Sequence, residues 1–456
     1  MKPNGTLLPL VDRVRARAMV VGVVGAALAV LGFIIDRAHF DRAYLFSFVF
    51  FLGLSLGSLA LLMLHRQVAG AWGFLIRRPL ESGAMTLPLM AVLFIPVLVD
   101  LDRIYPWVRH IPGQHESGGH PSGSNELSTG DQPVAGESPV RVANRGASAG
   151  ATGARRDPLE KRTADYFAFK RMWLNPTSFT IRVAIYFAIW IALALVFNIG
   201  SRRQDETGST SLAYGLQALG APGLVLYFLT TSFALIDWGM SLEPEWYSSI
   251  YGVLVMIGQV LSTMAFMILV ATLISRKGET EGLDTPETFN DLGNLLLTFV
   301  MFWTYISFSQ YLIIWAGNLT EEIPWYVRRF HGGWRFVGLF LGLFHFAVPF
   351  LILLRRPTKR NINSLWMVAA IVLVAHLVDV YWLIVPSFGE MPAAGAEVSY
   401  GPGPFVPLRP SWLDLAVPAG MGGIWLAAFL TFLRGQPLMV AHDPMLLPAL
   451  KQAGGH

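Results

Sequence analysis

Ten long apolar runs, separated by short polar connections, leave this 456-residue chain few ways to fold. Crossing the hydrocarbon core of a bilayer takes roughly 20 mostly apolar residues in a helix. A backbone in lipid must satisfy its own N–H and C=O groups, so such runs become helices rather than open strands. The runs predict spans at about 18–35, 44–64, 84–101, 180–199, 219–236, 249–275, 294–316, 334–354, 364–386 and 413–433. The expected fold is therefore an all-α polytopic membrane protein. Composition agrees: 14% of residues are charged, where a soluble domain carries about 25%.

Orientation follows from Lys and Arg in the short connections. Arg66, Arg77, Arg78, Arg202, Arg203, Arg276, Lys277, Arg355, Arg356, Lys359, Arg360 and Arg434 fall on one side, with Arg13, Arg15 and Arg17. The other side's short loops hold Arg37, Arg42, Arg328, Arg329, Arg335 and Arg409. The N- and C-termini are expected in the cytoplasm. The first apolar run is followed by "DRAHFDRAY" rather than a small-residue cleavage site, which predicts an uncleaved span. The net charge of +4 comes from these loops, and no nucleic-acid signature accompanies it.

One connection is long. Residues 114–157 are rich in Gly, Ser, Pro and Ala and nearly lack large apolar side chains, so a disordered insert is expected at about 112–158. His110, His115 and His120 recur there at intervals of five, a pattern read as solvated loop before metal site. The sequence has no cysteine. That excludes thiolate-ligated iron–sulfur clusters, C-x-x-C-H haem attachment and disulfides within this chain.

Polar residues inside apolar runs carry most functional information, because ionisable groups in lipid are costly and usually face a partner or a watery cavity. His376 and Asp379, in "IVLVAHLVDVYWLI", share one helix face at i, i+3. They lie roughly 18 and 22 Å along the ninth span. They are read as a proton relay or as a structural pair joining two helices. In the seventh span, Thr304, Ser307 and Tyr311 form a stripe with Gln310 beside it, suited to ordering water or to helix–helix hydrogen bonding. His345 lies near the middle of the eighth span, with Pro349 one turn on, and with His376 it offers two imidazoles to a b-type haem or to the relay. Asp237 closes the fifth span; Glu243 and Glu245 follow it, and Glu321 and Glu322 lie beside Arg328 and Arg329. Gly53 and Gly57 are spaced for close helix packing. Pro88 and Pro96 are expected to bend the third span.

Four collinear blocks carry a resemblance: the stretch beginning "AYLFSFVFFLGLSLGSLALLMLHRQ", then "FALIDWGMSLEPEWYSSIYGVLVMIGQ", "LGNLLLTFVMFWTYISFSQYLIIWAGNLTEEIPWYVRRFHGGW" and "HLVDVYWLIVPSF". From about residue 40 to 440, outside the insert, the chain resembles the ActF subunits of alternative complex III, which are NrfD-like (polysulfide-reductase-type) membrane subunits. The resemblance implies two four-helix bundles, spans two to five and six to nine, with spans one and ten peripheral. It divides the chain into an N-terminus and peripheral helix (1–43), a first bundle with the periplasmic insert (44–236), a second bundle with the polar cluster (237–386), and a loop, last helix and tail (387–456).

The resemblance further implies a bacterial inner-membrane subunit of a quinol:electron-acceptor oxidoreductase in the respiratory chain, with no redox centre of its own. Its partners would be a paralogous quinol-binding membrane subunit, an iron–sulfur subunit and c-type cytochrome subunits, which hold the clusters and haem c. Quinone binding by this chain is left open, and so is any catalytic role of its own. A proton half-channel is implied at family level and fits Asp379, His376, Ser307, Gln310, Tyr311, Thr304, His345 and Asp237. The alternatives are a secondary ion- or proton-coupled transporter and a purely structural scaffold.

Overall fold

The computed structural model of the chain describes residues 8–109, 170, 172–244, 246–277, 282–320, 322–388, 407–437, 443–446 and 448. Ten helices among them are long and apolar enough to cross a membrane. They are α1 (Leu8–Ile35), α2 (Arg37–Val68), α3 (Ala71–Val99), α4 (Pro176–Thr207), α5 (Thr210–Leu242), α6 (Tyr251–Ser275), α7 (Pro286–Gly317), α8 (Trp334–Leu353), α9 (Ile362–Ser387) and α10 (Leu413–Arg434). No strand occurs among the described residues, and the chain is an all-α polytopic membrane protein. The predicted insert, His110, His115, His120, Glu245 and Glu321 lie outside the described residues.

Local chemistry sets the helix starts. Asn175 accepts from the Ser178 N–H ahead of α4, and Thr285 from the Thr288 N–H ahead of α7, each followed by proline at the first helical position. Ser209 and Asn361 cap α5 and α9 in the same way. The helices nonetheless outrun the apolar stretches. α3 begins at Ala71 rather than near 84, and its added turns carry Arg77, Arg78 and Glu81, all buried. Polar residues are tolerated inside the protein there because they neutralise one another. α3 is also segmented into Ala71–Ala84, Leu87–Leu93 and Ile95–Val99. Pro88 and Pro96 open the second and third segments, since proline lacks the N–H that would continue the preceding turn.

Packing is centred on α2. Its most apolar stretch is 94% buried, against 22% for α1 and α8, so α2 is the axis and the latter two face outward. α2 crosses α6, the second most enclosed helix. The crossing is close because of glycine: a Cβ on Gly57 would sit 2.2 Å from Thr263 Oγ1. Thr263 in turn donates to the Gly53 and Leu54 carbonyls at 3.3 and 3.4 Å. α1 and α10 pair beside this core, where a Cβ on Gly25 would lie 2.2 Å from Gly420 Cα. Trp425 ties α10 to α2 by donating to Ser55 Oγ at 2.9 Å. Tyr305, Phe308, Ile313 and Trp315 of α7, and Phe336, Leu339 and Leu351 of α8, are exposed, as a lipid-facing surface requires.

Candidate functional site

His376 and Asp379 lie in α9 on the face turned toward α6 and α7, and both are buried. His376 Nδ1 is 3.4 Å from Asp379 Oδ2. The same carboxylate oxygen accepts a 3.1 Å hydrogen bond from Trp303 Nε1 of α7. Trp303 packs against His345 of α8 with ring centroids 4.1 Å apart, and His345 lies 5.6 Å from His376 by the same measure. Phe50 of α2 closes the other side of His376 at 5.9 Å. Space at His376 is provided by Gly258 of α6, where a Cβ would fall 2.4 Å from His376 Cε1.

His345 sits in a π-helical turn, Leu341–Ala347, in which the Val348 N–H reaches back five residues to Leu343 O. Pro349 lies four residues beyond His345 and cannot donate to its carbonyl, which explains why the regular ladder is interrupted here. Such single turns recur at functional sites because they re-aim one side chain. Among the described residues, neither ring nitrogen of His345 has a hydrogen-bond partner, and His376 Nδ1 has none of hydrogen-bond geometry. Buried polar atoms left unpaired cost roughly 1–3 kcal/mol each. Five helices, α2, α6, α7, α8 and α9, thus meet around an imidazole–carboxylate pair and a second imidazole that no described residue satisfies.

One donor atom each from His345, His376 and Asp379 lie within 4.8 Å of one another. Two imidazoles and a carboxylate are a metal-competent set, although a tetrahedral ion with bonds near ~2.1 Å requires closer convergence. A shared proton or a bridging water needs less movement. The two imidazoles already touch, so a porphyrin plane would have to part the ring stack.

The seventh-span residues divide by face. Gln310 is buried with Trp303, Ile306 and Ile314 on the inward stripe of α7, whereas Tyr311 is 37% exposed and Thr304 only half-buried. Gln310 faces the Tyr326 hydroxyl, but neither amide atom has hydrogen-bond geometry. Ser307 is half-buried with its hydroxyl unpartnered, and Thr304 bonds back to Val300 O at 2.8 Å. Tyr311 instead packs on Tyr326 and Phe330 of the short helix Ile323–Phe330. Three members were not singled out from sequence. Trp303 lies about one turn before Ser307 and two before Gln310 and looks like any membrane aromatic. Gln259 of α6 is buried, opposite Gly53, with both amide atoms unpartnered; a lone Gln in "VLVMIGQVLS" was the available signal. Tyr251, at the start of α6, is buried and lines a small cavity with Val380 and Leu383 of α9.

Asp237 belongs to a different setting. It lies in the last turns of α5 and accepts from Arg182 Nε and Nη2 at 2.8 and 2.9 Å, Trp173 Nε1 at 2.9 Å and Tyr186 Oη at 3.0 Å. Its lone pairs are filled by neighbours that hold α4 to α5. Glu243 likewise accepts from Arg328 Nη1 at 2.8 Å, Arg329 Nη1 at 3.4 Å and Ser387 Oγ at 2.7 Å. Arg328 and Arg329 therefore pair with Glu243, which the sequence singled out while setting Glu321 and Glu322 beside these arginines. Arg329 also donates to Trp382 O and Leu383 O, filling carbonyls at the end of α9. Burial pulls the Arg329 guanidinium down to about 10, with Glu243 opposing, so it stays charged at neutral pH.

At the arginine-rich end, Glu81 accepts from Arg77 Nε at 3.3 Å and Arg78 Nη1 at 2.6 Å. Arg78 also pairs with Asp205 of α4. Asp443, beyond α10, accepts from Arg77 Nη1 at 2.5 Å and Arg66 Nη1 at 3.3 Å. Burial alone would raise its carboxyl, but Arg77 and Arg66 hold it below the ordinary range. No protein-family model matches the chain, and no curated protein matches it.

Proposed function

We propose that this chain is a bacterial inner-membrane subunit of a quinol-oxidising respiratory complex of the alternative complex III type. It carries no redox centre, braces a paralogous quinol-binding subunit, and keeps a proton-holding site in its second bundle. Iron–sulfur and c-type cytochrome partners would do the electron chemistry. The observation that carries the proton site is the buried His376–Asp379 pair beside His345, with imidazole nitrogens that no described residue satisfies.

The chemistry is simple. The Asp379 carboxylate, oriented by Trp303 Nε1, stabilises a proton on His376. The adjacent His345 offers the next acceptor once a water bridges the rings. Gln259 on α6 and Gln310 on α7 supply unpaired amides that can order such waters. Redox chemistry in a partner can drive this site only through a difference in interaction between its two protonation states.

A transporter reading would point to the interrupted α3. Its first break is closed internally, since Thr86 Oγ1 donates to Gly83 O at 2.6 Å and meets Ser55 Oγ at 2.7 Å. The first test is extraction from native membranes in mild detergent, with identification of the co-purifying chains and a reduced-minus-oxidised spectrum. Haem-c bands with an iron–sulfur subunit and a second ten-helix chain support the reading; a colourless chain purifying alone refutes it. In the assembled complex, Asp379→Asn is expected to permit electron transfer while impairing proton movement. An assembled variant moving protons at the wild-type ratio removes the relay and leaves the scaffold.

A further inference from the structure

At the arginine-rich end, a cavity of about 30 Å³ lies between Arg66, Arg77, His65, Tyr214 and Asp443. Arg66 and Arg77 are buried, and Arg66 Nε and Nη2 have no hydrogen-bond partner among the described residues. His65 Nδ1 is unpartnered as well. Among the described residues, the ion pairs around this cavity set Arg66, Arg77 and Arg78 against Glu81, Asp205 and Asp443, three charges against three. Glu81 and Asp205 belong to α3 and α4 and stay with the bundle. Asp443 arrives from outside it, nine residues after Arg434 ends α10. If Asp443 leaves, two forked guanidinium groups remain in a partly enclosed niche with one positive charge uncompensated.

We propose that Arg66 and Arg77 form a binding site for a phosphate-class anion at the arginine-rich face, and that Asp443 is its built-in competitor. Guanidinium forks pair bidentately with phosphate oxygens, and phosphate offers more acceptors than one carboxylate, enough for the idle Arg66 donors. Anion and tail exclude one another. Both need the same donors, since Asp443 Oδ2 already takes Arg77 Nη1 and Arg66 Nη1. The tethered carboxylate acts at a local concentration on the order of mM, so the competing anion has to be abundant at this face. The phosphodiester of an anionic lipid and free inorganic phosphate both meet that chemical requirement.

The absence of cysteine gives a clean test. The full chain with Leu446→Cys is placed in nanodiscs of phosphatidylcholine alone or with phosphatidylglycerol, with and without inorganic phosphate. Maleimide labelling at position 446 reports tail release, and native mass spectrometry reports retained lipid. Anionic lipid or phosphate is expected to raise labelling at least about threefold, as competition for a shared site requires. Asp443→Asn, which keeps side-chain volume, is expected to raise anion retention several-fold, and Arg66→Gln to abolish it. Release by phosphatidylglycerol but not phosphate assigns the lipid headgroup; release by phosphate alone assigns the free ion. Labelling that responds to neither anion, with equal retention by wild type, Asp443→Asn and Arg66→Gln, overturns the proposal.

Discussion

Glu81→Gln tests whether buried charge balance holds the arginine-rich end together. Glu81 is fully buried and bridges Arg77 and Arg78, which are equally enclosed. Glutamine keeps the volume and one acceptor but removes the charge. Asp443 still faces Arg77 and Asp205 still faces Arg78, so neither arginine is left without a carboxylate. The group as a whole, however, acquires one uncompensated positive charge. Breaking a buried ion pair from one side costs about 3–5 kcal/mol, and the two surviving carboxylates place the expected loss near the lower figure. The assay is reversible denaturant unfolding in detergent, followed by tryptophan fluorescence. Adding Arg78→Met removes the surplus charge and should recover more than half of the loss, a coupling that a double-mutant cycle isolates. A single variant within about 1 kcal/mol of wild type, or a double variant less stable than Glu81→Gln, would refute charge balance as the controlling quantity.

Four further outcomes follow from the geometry. Gly258→Ala places a methyl 2.4 Å from the original position of His376 Cε1; it should cost about 1–3 kcal/mol in unfolding measurements and slow proton movement in the assembled complex. Trp303→Phe removes the 3.1 Å hydrogen bond to Asp379 and should cost about 1–3 kcal/mol, read by the same unfolding assay. The Asp443 carboxyl is held below its ordinary value of 3.8. A depressed folded value means its contribution is complete above the unfolded value and is lost as pH falls through the folded one. Protease access to the tail should therefore stay low at pH 5 and rise only below about pH 4. Gly25→Val meets Gly420 across a gap with no room for a side chain, and should expose α1 to proteolysis while α2–α9 stay resistant.

The sequence by itself determined the ten membrane helices, because solvation in lipid is a local property: a run of apolar residues is sufficient, whatever surrounds it. It also made His376 and Asp379 conspicuous, since a charge-bearing pair on one helix face stands out against an apolar run. The packing value of Gly53 and Gly57 was legible for the same reason. Partnership was not legible. Asp237 and Asp379 look alike in sequence, yet Arg182, 55 residues away, fills the lone pairs of one, while the other meets Trp303 and His376. Thr304, Ser307, Gln310 and Tyr311 were equal candidates until the packing of α7 against α6 turned Trp303 and Gln310 inward and left Tyr311 outward. Asp443 lies in a short tail with no periodic pattern, and only the fold brings it between Arg66 and Arg77. Which helices touch, and therefore which buried charges cancel, depends on side chains far apart in the chain meeting at close range, and the tertiary structure alone decided that.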